Sequence, residues 1–270
     1  MKKYFLVTTI CFAALAASSQ NQSPKQTVAL NSIEELKLLS TLWQQDAAEY
    51  RALCYQAFNT ATMHIDAMPK KMRKKQHLAI ITDLDETILD NSPNEAQLIK
   101  DGKSWNYPSW KQWTDLSAAT AVPGAVEFLQ YAKRKDINIF YISNRSVNEV
   151  ASTLINLQKL NLPDADTSHM LFMSNDASKE SRRQAVMKTY TVIMLMGDNL
   201  NDFANVFEGK NIADRFTETD NAKDDWGKKF IVLPNTTYGE WENALYNYKF
   251  NLTPEQKINL LRSSLQGIPQ

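Results

Sequence analysis

Glycine is scarce in this chain, with 7 in 270 residues, which leaves little room for Gly-rich repeats or a long flexible linker. Cysteine is scarcer still. Its two copies, Cys11 and Cys54, exclude a disulfide scaffold and a Cys-rich zinc protein. Net charge is absent, because 30 Lys and Arg balance 30 Asp and Glu. That argues against a binder of nucleic-acid polymers, which relies on a broad basic field. The three histidines, His64, His77 and His169, are scattered and offer no histidine-based phosphoryl chemistry. A P-loop and a Gly-x-Ser-x-Gly elbow are both missing. What is present is ordinary for a globular protein, 43% hydrophobic and 22% charged residues, at a length that suits one or two domains.

The N-terminus reads as an export address. Lys2 and Lys3 precede an uncharged apolar stretch over residues 4–17, followed by Ser18, Ser19 and Gln20. This is the order of charge, apolar run and small residues found in a secretory signal peptide, and the run falls short of the about 20 residues that span a membrane. We therefore expect residues 1–19 to be a signal peptide, cleaved after Ala16, Ala17 or Ser19, and the protein to be periplasmic, surface-exposed or secreted. Cys11 lies inside the apolar run behind Thr8, Thr9 and Ile10, which does not match a lipobox, so a lipid anchor is not expected. Cys54 would then remain alone, without a disulfide.

Residues 20–31 form a polar leader, and one domain is expected over residues 32–270. A three- and four-residue apolar spacing begins at Ser32 and predicts a helical segment over 32–68, with Ser32 and Glu35 as a capping box. The basic run over residues 70–75 reads as a solvated turn. Then the pattern changes. Residues 78–82 are a short continuous apolar run, as in a strand buried on both faces, and similar runs occupy 137–142, 170–173, 192–196 and 230–233. Helix-like segments over 124–135, 147–160, 178–188 and 200–207 lie between them. This alternation predicts an α/β fold, a doubly wound, Rossmann-like parallel sheet. Residues 91–122, with Trp105, Tyr107, Trp110 and Trp113, interrupt it as a small helical, aromatic-rich insertion. A last amphipathic stretch over 253–265 fits either core packing or an interface.

In such sheets ligands bind beyond the carboxyl ends of the strands. The first strand is followed by Asp83-Leu84-Asp85-Glu86-Thr87, the second by Ser143-Asn144-Arg145, and the fourth by Gly197-Asp198-Asn199-Leu200-Asn201-Asp202, while Lys179 opens the helix after the third. A carboxylate can attack phosphorus and split the displacement into two easier steps. A second carboxyl can protonate the leaving oxygen and then activate water. Clustered acids call for a hard divalent cation, and a lysine and a hydroxyl can hold the equatorial oxygens.

These residues resemble the haloacid dehalogenase (HAD) superfamily. Closer still, they are similar to the class C acid phosphatases, the lipoprotein e type of 5′-nucleotidase. The resemblance continues through Leu89-Asp90-Asn91-Ser92-Pro93, Val122-Pro123-Gly124-Ala125, Ser178-Lys179-Glu180 and Asp202-Phe203. It ends with Leu233-Pro234-Asn235, Tyr238-Gly239 and Trp241-Glu242, and so covers roughly residues 32–250. It implies a HAD-like fold and a Mg²⁺-dependent hydrolase of phosphomonoesters such as nucleoside monophosphates, acting through an aspartyl-phosphate. Asp83 would be nucleophile and metal ligand, Asp85 the general acid/base with its backbone carbonyl on the metal, and Asp198 a side-chain ligand supported by Asp202. Ser143, Asn144 and Lys179 would hold the phosphate, and Trp110 and Tyr238 would stack the substrate ring. Asn94 stands where the family often has a tyrosine after Ser-Pro. A homodimer is implied by family analogy alone. The competing readings are a phosphotransferase and a non-catalytic surface binding protein that retains the fold. A dehalogenase is disfavoured by Asp85, because that chemistry has no leaving alkoxide to protonate.

Overall fold

The computed structural model describes residues 33–73 and 77–268; the expected signal peptide, the polar leader, the Ser32 cap and part of the basic run lie outside these. Seven strands follow one another: β1 (Leu78–Thr82), β2 (Leu89–Asp90), β3 (Thr120–Ala121), β4 (Asn138–Ser146), β5 (Met170–Met173), β6 (Thr191–Gly197) and β7 (Phe230–Val232). Five of them form one parallel sheet in the order β5-β4-β1-β6-β7. The chain runs outward from β1 through β4 to β5, then returns to β6 on the other side of β1. That reversal opens a crevice at the carboxyl ends of β1 and β6, where open α/β sheets take ligands. Every residue of β1 is buried, and helices cover both faces, which accounts for its unbroken apolar run.

The helices are α1 (Leu38–Asp46), α2 (Ala48–Ala67), α3 (Lys70–Arg73), α4 (Ser92–Asp101), α5 (Tyr107–Asp115), α6 (Ala125–Arg134), α7 (Val150–Lys159), α8 (Glu180–Met187), α9 (Ile212–Asn221), α10 (Glu240–Leu245) and α11 (Pro254–Ser264). The segment expected to be helical over 32–68 is divided in two, because Ala47 adopts an extended conformation (φ −79°, ψ 124°) between α1 and α2. On α2, Tyr50, Cys54, Phe58, Ala61 and Ile65 recur at helical spacing and are buried with Phe128, Leu129 and Ala132 of α6 in the larger of two apolar clusters. Cys54 is a free, buried thiol.

Three expectations need correction. Residues 200–207 are not an α-helix but two short 3₁₀ turns, Leu200–Asp202 and Asn205–Phe207. Asn199 and Asp202 close a capping box on the first turn, and Ala204 then goes extended. Phe203 and Phe207 keep a helical four-residue spacing only because both reach the smaller apolar cluster. Second, β4 runs four residues past the expected end at residue 142, to Ser146, with an irregular register against β5 between Ser143 and Ser146. Ser143 and Asn144 therefore sit inside the last turn of the strand rather than beyond it. Third, the insertion is helical as expected but also contains strand: β2 and β3 pair antiparallel, Leu89 with Ala121 and Asp90 with Thr120, and close its neck below α4 and α5. No helix among the described residues is long and apolar enough to cross a membrane.

Candidate active site

The loop after β1 is pinned from below. Leu84, Ile88 and Leu89 are fully buried, each worth about 1.5–3 kcal/mol of apolar burial. The Asp83 N–H extends the sheet ladder onto the Met196 carbonyl at 2.9 Å. Between these anchors the turn is tight, and Glu86 takes a left-handed conformation at φ 57°, a strained choice for a residue with a side chain. Its buried carboxylate accepts the Asn91 N–H at 3.0 Å and the Tyr238 hydroxyl. Asp83 and Asp85 are thereby held in fixed directions above the strand.

Lys179 precedes α8 and lies between two carboxylates, donating to Asp83 and to Asp202, the latter at 2.6 Å. Oxygens of Asp83, Asp198 and Asp202 all lie within 4.8 Å of one another. Asp198 is oriented by Thr87 Oγ1, which donates at 3.2 Å, and by Asn235 Nδ2, which donates at 2.8 Å. Asp202 accepts the Asn199 N–H at 3.1 Å with the oxygen that faces away from Lys179. Burial pushes the Asp83 carboxyl well above the usual range against the pull of Lys179, and the neighbouring acids push it the same way. Burial and Asp202 push Asp198 up to about 7. Burial opposes the charge on Lys179, but Asp202 and Asp83 outweigh it and raise its pKa. The cluster holds more negative charge than Lys179 neutralises, and its donors are hard oxygens. Both features fit a divalent cation such as Mg²⁺.

Gly197 makes this arrangement sterically feasible. A Cβ at that position would collide with the Asp202 carboxylate. We expect Gly197→Ala to displace Asp202 and release Lys179, lowering kcat at least about tenfold with a modest loss of Tm. Unchanged kcat in that variant would show that Asp202 is not needed in place.

Asp85 belongs to a second network. Arg145, nearly fully buried, donates to Asp85 Oδ1 through Nε at 3.0 Å and Nη2 at 2.8 Å. It also donates to Thr153 Oγ1 at 2.9 Å and lies 5.5 Å from the centre of the Trp110 ring. Asn91 Nδ2 donates to Asp85 at 2.8 Å, and Asn91 Oδ1 accepts the Trp113 indole N–H at 2.8 Å. Ser143 is fully buried; its hydroxyl accepts the Arg145 N–H at 3.0 Å and lies 3.4 Å from Asp85. Asn144 is exposed, its side chain held by the Ala177 carbonyl and by Arg182, which also donates to the Ser143 carbonyl at 2.6 Å.

A cavity of about 600 Å³ opens over these groups, lined by Asp83, Asp85, Asp198, Lys179, Asn144, Arg145, Trp110 and Tyr238. Eight of the nine residues singled out in the sequence therefore share one cavity wall, Asp202 included, while Ser143 sits directly behind it. Trp105, from the aromatic-rich insertion, also lines the cavity, as do Lys37 and Glu95. Sequence reasoning passed over Glu86, Asn91, Arg145, Arg182 and Asn235. Arg145 had a signal, adjacent to Ser143-Asn144; so did Glu86, directly after Asp85.

Comparison with known proteins agrees with this geometry. The family model for HAD superfamily subfamily IIIB, acid phosphatase, matches residues 3–241. The class C acid phosphatase from Bacillus anthracis superposes with a TM-score of 0.84 at 39% identity, covering 88% of this chain and 99% of that one. A second structure of the Bacillus anthracis enzyme, with tungstate bound, superposes with a TM-score of 0.83 at 37% identity, covering 88% of this chain and 100% of that one.

Proposed function

The chain belongs to the HAD superfamily acid phosphatases of subfamily IIIB, and from that premise we propose that this phosphomonoesterase is a Mg²⁺-dependent 5′-nucleotidase acting through Asp83. The observation that carries the reading is a single cavity in which two aromatic rings, Trp110 and Tyr238, face a buried carboxylate cluster. A base can stack on such rings whatever its identity. The tungstate held by the Bacillus anthracis enzyme is a tetrahedral oxyanion like phosphate, which supports a reaction on phosphate esters.

The chemistry follows from positions. An Asp83 oxygen attacks phosphorus, the ester P–O bond breaks, and Asp85 delivers a proton to the departing oxygen. Asp85 then takes a proton from water, whose oxygen attacks the phosphorus and frees Asp83 and inorganic phosphate. Lys179 and Asn144 hold the phosphoryl oxygens, with Ser143 supporting them through the strand. Arg145 and Asn91 keep Asp85 aimed, and Glu86 fixes Tyr238 through its hydroxyl. Asp83, Asp198 and the Asp85 carbonyl would hold the Mg²⁺, with Asp202 behind them. The ion would supply charge neutralisation between the acids and the phosphate. Export of the enzyme rests on residues 1–19 of the sequence.

The test is phosphate release from 5′-AMP with and without Mg²⁺. We expect chelation to reduce turnover to background and added Mg²⁺ to restore it; undiminished rates in EDTA would exclude the metal site. Stability should report the same site. Burial and Asp202 push Asp198 up to about 7 in the folded chain, against about 4 when unfolded. The stability it contributes is present below about pH 4 and is lost as pH rises through about 7. In EDTA this contribution should lower Tm over that interval, and Mg²⁺ should restore Tm at the upper end. A Tm that ignores Mg²⁺ at pH 7 would count against the assignment.

A further inference from the structure

A second cavity, of about 420 Å³, lies beside the catalytic one and shares Lys37 and Trp105 with it. Its walls differ in character. Trp241, Tyr246 and Phe250 bring aromatic surface, with Phe250 77% and Trp241 42% exposed. Lys249 and Lys257 bring positive charge, and Lys257 lies 5.4 Å from the centre of the Tyr246 ring. Of its two acids, Glu34 is 3.2 Å from Lys37 and Glu242 accepts the Tyr246 hydroxyl at 3.1 Å. Thr237 also lines the cavity; it is 3% exposed, and its hydroxyl has no partner among the described residues. A buried hydroxyl without a partner costs free energy unless something supplies one.

One short segment serves both cavities. Asn235 holds Asp198, Tyr238 faces the catalytic cavity, and Thr236 and Thr237 between them line the second. The two spaces thus meet at Lys37 and Trp105, which line both, and share a backbone segment, but the first is rich in acids and the second pairs aromatic faces with two lysines. A ligand that spans them carries a phosphomonoester at one end and a ring with an anionic link at the other.

We propose that the second cavity is a distal subsite for the second nucleotide of a 5′-phosphorylated dinucleotide, whose terminal phosphate is removed at Asp83. Its second base would stack against Phe250 and Trp241, and its internucleotide phosphate would lie toward Lys249 and Lys257. The Thr237 hydroxyl would gain a polar partner on the ligand. The terminal step is the hydrolysis already described, in which water supplies the oxygen that replaces the ester bond. This inference rests on the nucleotidase reading.

The test compares 5′-AMP, the 5′-phosphorylated dinucleotide pApA and p-nitrophenyl phosphate on the Mg²⁺-loaded enzyme and on a Phe250→Ser/Lys257→Ala double variant. One stacked base and one phosphate contact should make KM for pApA about fivefold to tenfold lower than for 5′-AMP. The double variant should erase that difference while leaving 5′-AMP and p-nitrophenyl phosphate kinetics unchanged, which also shows that it folds. If 5′-AMP is hydrolysed and pApA shows no lower KM, or if the double variant leaves the pApA advantage intact, the subsite is overturned. If p-nitrophenyl phosphate alone is turned over, the nucleotidase reading falls and the subsite falls with it. A Thr237→Val variant supplies an independent measurement, expected to raise KM for pApA more than for 5′-AMP; equal effects on the two would count against the assigned contact.

Discussion

Asp83→Asn should lower kcat on the order of 10⁴-fold or more while the protein stays folded. The amide is isosteric but cannot form the acyl-phosphate, so the first bond of the reaction is never made. The fold should not suffer, because the substitution removes one negative charge from a buried group of acids. Lys179 keeps Asp202 as its counter-charge, and the amide oxygen can still accept its hydrogen bond. We therefore expect Tm in EDTA to be unchanged or raised. Phosphate release and thermal melting on the same preparation check both halves. Activity within about tenfold of the parent would remove Asp83 from the nucleophile's position.

Lys179→Met is the complementary substitution, and we expect it to damage both properties. Lys179 is 7% exposed and contacts two buried carboxylates. Removing one partner of a buried ion pair leaves uncompensated charge, at a cost of about 3 kcal/mol or more. For a chain of this size that lowers Tm by roughly 6–12 °C. Turnover should fall about 10³-fold as well, since a positive charge beside the transferring phosphoryl group is lost. The two substitutions should interact. Adding Asp83→Asn to Lys179→Met removes one of the stranded carboxylates, so the double variant should be more stable than Lys179→Met alone. If the stability losses simply add, the contact between these side chains carries little energy.

The parallel sheet was legible because burial on both faces forces strands such as β1 and β6 to be apolar without interruption. The positions of the polar groups were legible for a related reason: a parallel strand must hand over to a helix on one edge, so its next residues have a known address. The 200–207 segment was misread because Phe203 and Phe207 satisfy a helical period while serving one apolar cluster from two separate turns. Local hydrogen bonding between Asn199 and Asp202 decided the backbone there, and periodicity does not register it. The residues that aim the site were the least legible. Arg145, Asn91 and Asn235 act through side-chain hydrogen bonds to Asp85 and Asp198, Arg145 across 60 residues and Asn235 across 37. A single Asn or Arg of this kind carries no periodic signature, and only the folded chain reveals its partner. Trp105 lies within the aromatic-rich insertion with nothing in the sequence to set it apart, and it is the ring shared by both cavities.

The contacts that build the site join distant parts of the chain: Asp83 to Lys179 across 96 residues, Thr87 to Asp198 across 111, and Glu86 to Tyr238 across 152. During synthesis Asp83 therefore leaves the ribosome long before its counter-cation Lys179, and Tyr238 comes last. No nascent or prematurely terminated chain ending before residue 238 holds the complete constellation. A chain that ends before residue 179 also leaves Asp83 without its counter-cation. Hydrolytic activity from this site thus requires synthesis at least through residue 238, and its appearance in a translation reaction would mark the joining of these distant segments rather than the folding of any one part.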